Sequence, residues 1–575
     1  MKCLEKVNDA VGGSFIGRFF KFEERGAKFS HELAGATATF LTMAYILAVN
    51  PRILADSGGP CVPDPPEEGG IFGANYEKCL EEIKRQYITA TAIGSMVGCL
   101  IMGLFANLPI ALAPGMGMNA YFTYSVVGWR GTGSVSFQAA VTAVMIEGAI
   151  FFVLAITGAR YAIIRLIPEP VRIATPAAIG CFLAHLGLQT AEGIGVVVSD
   201  IATAVTLGAC PEDRRTPIVA YDDTCANEGI CVFSDAYTCD VLGGVMTSAM
   251  TWVGILGMMI IAIFLAYKSH LAFVFGIGLV TIISWPRGTA VTYFPDTEAG
   301  DARFEYFKQV VDIAPVNLLL TQFTKNLAGA GLALFTMLYV DFLDTSGTLL
   351  GLANSMGIID EEGNFPKSRQ AFSADAVATM FGSIFGLCPV TSYIESGSGV
   401  EAGAKTGMTA VICSFYFFLS IFFAPIIASI PPWATGGALV VVGSMMGRSL
   451  AKLQWDNVSH AVSGFLTVII MPLTYSIAYG LIAGIGAFLV MEGTFWLLSF
   501  AGVPKPGGKG PTRMAIGESL MNPKPGSAAA AAAANAEEEE GEEVAQNEEA
   551  PEPDEETAEH EGSDDAPAEP AKEES

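Results

Sequence analysis

The chain has 575 residues, of which 51% are hydrophobic and only 15% charged, well under the ~25% charged residues of a soluble domain, so a cytosolic enzyme is disfavoured. The net charge of −27 is mostly a tail, because residues 537–575 hold 19 acidic side chains and a single lysine. No basic patch exists to neutralise phosphates, which excludes nucleic acid as a partner and leaves a polytopic membrane protein with an acidic, disordered end.

Residues 1–32 mix charge with aromatics, as in Gly17-Arg18-Phe19-Phe20-Lys21-Phe22, and lack the apolar core and small-residue cleavage site of a signal peptide. They read as a cytosolic segment lying along the membrane surface. Apolar runs then follow one another. Residues 33–50 carry no charge and nearly reach the about 20 residues that cross a hydrocarbon core. Residues 86–129 are charge-free for 44 positions, too long for one span, with interruptions at Asn107-Leu108-Pro109 and Pro114-Gly115. Residues 406–447 divide at Pro431-Pro432, and 457–491 run 35 positions without Asp, Glu, Lys or Arg. Fourteen spans are expected, near 33–50, 87–106, 109–126, 138–158, 174–191, 241–267, 271–285, 327–352, 374–388, 389–405, 408–428, 433–450, 459–475 and 477–499. Cytosolic N- and C-termini put more Lys and Arg on the inner segments than in the outer loops.

Six of the 11 cysteines fall in two loops that this topology places outside: Cys61 and Cys79, then Cys210, Cys225, Cys231 and Cys239. Disulfides can form there, in pairs the sequence leaves open; scattered free thiols are the plainer alternative. Zinc is disfavoured by irregular spacing and by the lack of His in both loops. Asn457-Val458-Ser459 matches the N-x-S/T pattern but falls on an inner loop, where it would go unused.

Two apolar segments are broken in matching places. Pro109-Ile-Ala-Leu-Ala-Pro-Gly-Met-Gly-Met-Asn-Ala-Tyr-Phe122 lies in the third span and Pro389-Val-Thr-Ser-Tyr-Ile-Glu-Ser-Gly-Ser-Gly-Val-Glu-Ala402 in the tenth, seven spans on. Each opens with Pro, runs extended for a few residues, and meets small residues before helical character resumes. Corresponding interruptions in two halves mark a transporter's midplane site, and an odd number of spans per repeat makes the second repeat inverted. Backbone that leaves a helix inside the bilayer needs partners other than lipid. Two extended pieces can pair with each other, leaving half-helix N-termini to face a ligand. The blander reading has the glycines serving only close helix packing.

Carboxylates inside these spans are the next signal. Asp341 and Asp344 share one helical face of the eighth span. Glu395 sits at the break of the tenth, with Glu401 nearly two turns later. A carboxylate at the bilayer centre is expensive unless protonated, paired or wetted, so its default reading is functional. For Asp344 the hydroxyls of Thr345, Ser346 and Thr348 offer a local structural alternative. Glu147, in the fourth span, has no evident partner and reads as structural, as does the lone His185. Asp344-Thr345-Ser346-Gly347 matches the short pattern of pepsin-type proteases, but those need two such loops on a β-fold. Gly115-x-Gly117 lacks the strand and third glycine of a dinucleotide fingerprint.

The stretches Ala36-Thr-Ala-Thr-Phe-Leu-Thr-Met-Ala-Tyr-Ile-Leu-Ala-Val-Asn-Pro51 and Ala106-Asn-Leu-Pro-Ile-Ala-Leu-Ala-Pro-Gly-Met-Gly-Met-Asn119, with the Asp341 and Glu395 segments, resemble the AzgA-like purine permeases, relatives of the nucleobase–ascorbate transporters. The resemblance covers roughly residues 25–500. It implies an all-α polytopic membrane protein of fourteen transmembrane segments, a seven-plus-seven inverted repeat with core and gate domains, its two broken segments containing short strands. The implied organisation is core at 33–158 and 327–428, gate at 159–326 and 429–502, and a disordered cytosolic tail at 503–575. Position by position, Asn119, Asp341 and Glu395 match the family's purine-binding residues, while Gly117 and Asp344 match positions that support transport; Glu401 is a further proton-coupling candidate. One departure is Gly399-Val-Glu-Ala-Gly-Ala-Lys-Thr-Gly407, where relatives often carry Gly-Gly-Arg: Lys405 keeps the charge without a bidentate fork.

The implied activity is import of adenine, guanine or hypoxanthine through the plasma membrane with a proton as coupling ion, no other cofactor, and a homodimer formed through the gate. The chemistry agrees. A purine edge offers N–H donors beside acceptors; a carboxylate accepts from two N–H groups, and an Asn amide both donates and accepts. Asp344 and Glu395 are the candidate proton carriers. Xanthine, uracil or a cytokinin-like purine are the nearest alternatives. An anion exchanger on the same fold would want a positive, carboxylate-free centre.

Overall fold

The computed structural model describes residues 2–62, 74–158, 168–189, 193–200, 204–207, 215–221, 230–239, 247–320, 322–359 and 365–500. The expected tail at 503–575 lies outside them, as do Cys210 and Cys225.

Short helices α1 (Lys2–Gly12), α2 (Phe15–Phe19) and α3 (Phe22–Arg25) precede α4 (Phe29–Met43), α5 (Ile46–Ala55) and α6 (Ala74–Ile101). The chain of α6 widens into a π turn over Met102–Ala106 and ends on Asn107, whose φ of 56° is left-handed, a conformation that Asn tolerates better than most residues. Strand β1 (Leu112–Pro114) and α7 (Met116–Ala120) follow, then α8 (Phe137–Thr157) and α9 (Glu169–Leu188). After a segment of strands come α10 (Ala249–Ala266), α11 (Ala272–Ser284), α12 (Glu298–Phe307), α13 (Ala330–Ser355) and α14 (Ser368–Ile384). The second broken segment supplies a further strand (Val390–Ser392) and α15 (Ser396–Glu401), before α16 (Gly407–Ile421), α17 (Ala424–Ala428), α18 (Pro432–Met446), α19 (Val458–Thr474) and α20 (Ile477–Phe500).

Each expected apolar segment overlaps at least one of these helices or strand–helix units, with 33–50 and 408–428 each meeting two. By length and composition, Phe29–Ala55, Asn75–Ala106, Phe137–Thr157, Glu169–Leu188, Ala249–Ala266 and Ile477–Phe500 suffice to cross a membrane. The protein is a helical, multi-pass membrane protein. Short strands occur in both broken segments as expected, and the all-α expectation has to admit further strands in one loop. The loop between α9 and α10 carries β2 (Val197–Asp200) against β3 (Ala204–Leu207), and β4 (Arg215–Tyr221) against β5 (Ile230–Cys239), so that the strand of the second broken segment (Val390–Ser392) is β6. Runs such as Val196-Val-Val198 and Ile218-Val219 are β-branched, which suits a pleated surface better than a helix. In the first cysteine loop, Cys61 and Cys79 form a disulfide.

Packing sorts the helices into two bundles. In the strand-bearing bundle α8 lies along α13 and α14, α6 along α5, α14 and α16, and α4 along α15 and α16. In the other, α9 packs on α18 and α19, α18 on α10 and α11, and α19 on α20. Glycines line that second set: a Cβ on Gly443 would strike the Gly180 carbonyl oxygen, and one on Gly187 the Gly436 carbonyl. Small residues allow helix axes to approach closely where lipid offers no hydrophobic drive.

Candidate functional site

The two broken segments meet. Strands β1 and β6 pair antiparallel, with Leu112 opposite Ser392, Ala113 opposite Thr391 and Pro114 opposite Val390. Gly115 N donates to the Pro389 carbonyl at 3.0 Å and Tyr393 N to the Ala111 carbonyl at 3.0 Å. Backbone groups that each half would strand in an apolar interior are thus satisfied by the other. Side chains complete the junction: Ala111 N donates to Ser396 Oγ at 3.0 Å, while Tyr393 Oη and Asn50 Nδ2 donate to the Pro114 carbonyl at 2.6 and 3.0 Å.

Beside this junction, between the two bundles, lies a cavity of about 530 Å³ including the solvent at its mouth. Its floor is Gly115–Met118 and Thr391–Glu395, Asp344 and Thr348 face it from α13, and Ile179, Leu183, Val442 and Met446 close it from α9 and α18. An apolar wall with a few convergent polar groups is what small-ligand sites require. Glu395 is 8% exposed, and its carboxylate accepts from Tyr45 Oη at 2.9 Å, which fixes its orientation at the cavity. Asp344 is half-buried and has no hydrogen-bond partner among the described residues. The Thr345 hydroxyl that could have held it turns instead to Asp375 at 2.8 Å and Asp341 at 3.3 Å.

Of the residues expected to serve the site, Glu395, Asp344 and Gly117 line the cavity. A methyl on Gly117 would run into Ile179 Cγ2, so this glycine sets how closely the first broken helix approaches α9. Asn119 and Asp341 do not line it. Both are fully buried, and both amide atoms of Asn119 lack a hydrogen-bond partner. Glu401 is exposed at the last turn of α15, far along the helix from Glu395. Lys405 is exposed as well, and its backbone is what the structure uses: its N–H donates to Glu32 Oε1 at 3.0 Å and its carbonyl accepts from Arg25 Nη1 at 2.9 Å.

Sequence reasoning passed over several polar residues. Asp375 is an acid in an otherwise apolar span, the same signal that marked Asp341, and its oxygens accept from Thr345 and Ser392. Glu32 is fully buried and caps the start of α16, accepting from Thr406 N and Thr409 N at 3.3 Å and from Thr409 Oγ1 at 2.7 Å. Asn107 Oδ1 accepts from Gly407 N at 2.7 Å. Asn457, the sequon residue, is the cap of α19 and accepts from Ser459 N.

A family model described as the Permease family matches residues 70–209 and 238–483. A Schizosaccharomyces pombe protein with a provisional xanthine/uracil permease name is 41% identical over 507 residues, covering 86% of this chain and 78% of its own. A protein of Aspergillus versicolor named as an efflux pump is 41% identical over 512 residues, covering 86% of this chain and 85% of its own. A guanine/hypoxanthine permease of Bacillus subtilis is 34% identical over 471 residues, covering 81% of this chain and 91% of its own.

Proposed function

We propose, on the premise that the chain belongs to the Permease family of nucleobase transporters and is a transporter rather than an enzyme, that it imports purine nucleobases across the plasma membrane by proton symport. The observation that carries this reading is the cavity at the β1–β6 junction, where Glu395 and Asp344 meet an apolar wall with no Lys or Arg in the lining. A planar heterocycle offers faces to Ile179 and Leu183 and N–H donors to the two carboxylates. An anion would meet like charge there, which speaks against anion exchange.

In this reading Glu395 and Asp344 hold the purine edge. Asn119 and Asp341, purine residues by resemblance, support the site from behind the cavity wall, and Gly117 keeps the approach to α9 open. Alternating access moves the strand-bearing bundle as core against the glycine-packed bundle as gate, with both termini cytosolic and two chains joined through the gate. A bacterial relative named for guanine and hypoxanthine supports the purine choice. The fungal relatives' names raise xanthine, uracil and outward transport as the competing outcomes.

Uptake of radiolabelled adenine, guanine and hypoxanthine in a yeast lacking purine uptake tests this reading. Saturable accumulation that rises as external pH falls, is competed by the three purines and is lost in Glu395→Ala is the expected result. Competition by uracil or xanthine alone would reassign the substrate. Surface-expressed protein that lowers purine content instead would reverse the direction.

A further inference from the structure

Glu147 lies midway along α8 and is fully buried, and neither of its carboxyl oxygens meets a hydrogen-bond donor. An unpaired buried carboxylate costs several kcal/mol, and no Lys or Arg pairs with it among the described residues. What it faces is Asp341 on α13. The helices α8 and α13 pack on each other here, with Phe151, one turn on from Glu147, 5.2 Å ring to ring from Phe342, the neighbour of Asp341. The two carboxyls interact directly, and Asp341 Oδ2 has no donor of its own. A carboxylate only accepts, so two carboxyls bond to each other only when one of them carries a proton and donates it.

The pair is connected to the cavity. Thr345 Oγ1 lies 3.3 Å from Asp341 Oδ1 and 2.8 Å from Asp375 Oδ2, and its single hydroxyl proton serves one of these acceptors at a time. Ser392 Oγ donates to Asp375 Oδ1 at 3.0 Å, and Ser392 forms part of the cavity floor. The ionisable groups around the pair are Asp344 on α13, Asp375 on α14 and Cys388 just before β6, with Glu395 at the head of α15 next beyond Asp344. None of them is a cation.

We propose that the Glu147–Asp341 pair is the site that carries the transported proton, with Thr345, Asp375 and Ser392 linking its occupancy to the substrate cavity. The inference rests on the symport reading above. A proton from the outer water binds the pair and is released to the inner water; while it is bound, one neutral and one charged carboxyl share a hydrogen bond. Once it has left, two like charges abut with no counter-ion and repel. Release therefore loosens the contact between α8 and α13, the helix that carries Asp344 on the next turn. Glu147 is then a coupling residue rather than the structural carboxyl that its isolation in sequence suggests.

The test is Glu147→Gln in the full chain, expressed in the purine-uptake-null yeast, with surface level measured in parallel. Two assays are compared: concentrative uptake of labelled hypoxanthine at acidic and neutral external pH, and exchange of labelled for unlabelled hypoxanthine across the membrane, which needs no net proton movement. The expected result is exchange without accumulation, with the accumulation ratio falling to unity and losing its pH dependence. Glu147→Asp, which restores a carboxyl, should recover part of the accumulation. Wild-type accumulation and pH dependence in Glu147→Gln would overturn the proposal. Wild-type protein that itself fails to accumulate hypoxanthine with falling pH would overturn the symport reading instead. Should Glu147→Gln not reach the membrane, infrared spectroscopy of the purified wild-type protein decides. A protonated-carboxyl carbonyl band at neutral pH supports the pair, and its absence overturns it.

Discussion

The two bundles are held together by different physics. The strand-bearing bundle is wired: Glu32, Asn107 and Tyr393 join segments 279 to 377 positions apart through buried hydrogen bonds, and Asn50, Thr345, Asp375 and Ser392 add shorter-range ones. The other bundle relies mainly on steric fit, a device the first bundle also uses where Gly103 meets Gly407 and Gly35 meets Gly399. In the second bundle Gly180 meets Gly443, Gly187 meets Gly436, Gly276 meets Ile261 and Gly257 meets Val280, with few side-chain hydrogen bonds between helices among the described residues beyond Trp433 to Ser284 at 2.9 Å and Ser459 to Glu492 at 2.7 Å. Directional bonds resist sliding and hold a site's geometry, whereas close steric fit tolerates no added atoms. The cavity lies on the seam, taking its polar groups from the first bundle and its apolar wall from the second.

This contrast predicts opposite sensitivities. The largest effect is expected from Gly443→Leu, where the added side chain meets the Gly180 backbone rather than a flexible chain end. The cost should exceed the about 1–3 kcal/mol of ordinary overpacking, and fluorescence-detected size-exclusion chromatography should show little folded protein. A normal monodisperse peak would mean the bundle yields more easily than its backbone contacts imply. Next comes Glu32→Ala, which strips the cap from the start of α16 and leaves buried N–H donors unpaired. It should cost about 1–3 kcal/mol, visible as a lower melting temperature of purified protein, with Glu32→Gln recovering part of it.

At the seam, Gly117→Ala should slow transport with little loss of surface protein, because the new methyl collides with Ile179. Ile179→Ala in the same chain should restore uptake. Failure of that rescue would move the role of Gly117 away from the α9 contact. The smallest effect is expected from Tyr45→Phe, which removes one hydrogen bond to the Glu395 carboxylate. A bond to a charged group is worth roughly 1.5–3 kcal/mol, part of which water at the cavity mouth replaces, so an increase of about tenfold or less in the uptake KM is expected.

What the sequence made legible follows from where the signal lies. Pro109, Pro114, Pro389 and the glycines after them announce broken segments because the breaking residues are local, and Asp344 and Glu395 stand out as acids in apolar runs. Direction was harder to read. Asp341 and Asp344 share a face by helical spacing, yet one looks toward Glu147 and the other into the cavity. That difference comes from neighbouring helices, not from spacing. Glu401 carried the same type of signal as Glu395 but falls where α15 has already reached the surface. Tyr45 gave no sign at all, since its partner Glu395 is 350 residues away. Asp375 did give one, identical to that of Asp341, and needed only to be weighed.

The pairing of β1 with β6 also has a consequence for how the chain is made. Tyr393 bonds the Pro114 carbonyl across 279 residues, so while the ribosome is still making the middle of the protein, the first broken segment has inserted without its partner. Its extended backbone must then be shielded by a chaperone, by the translocon or by water in an unfinished cavity, because lipid cannot satisfy it. A chain truncated before residue 389 should be recognised and degraded, and supplying the missing half as a separate polypeptide should rescue it. The strand pair that builds the site thereby doubles as a checkpoint, certifying that both halves have arrived.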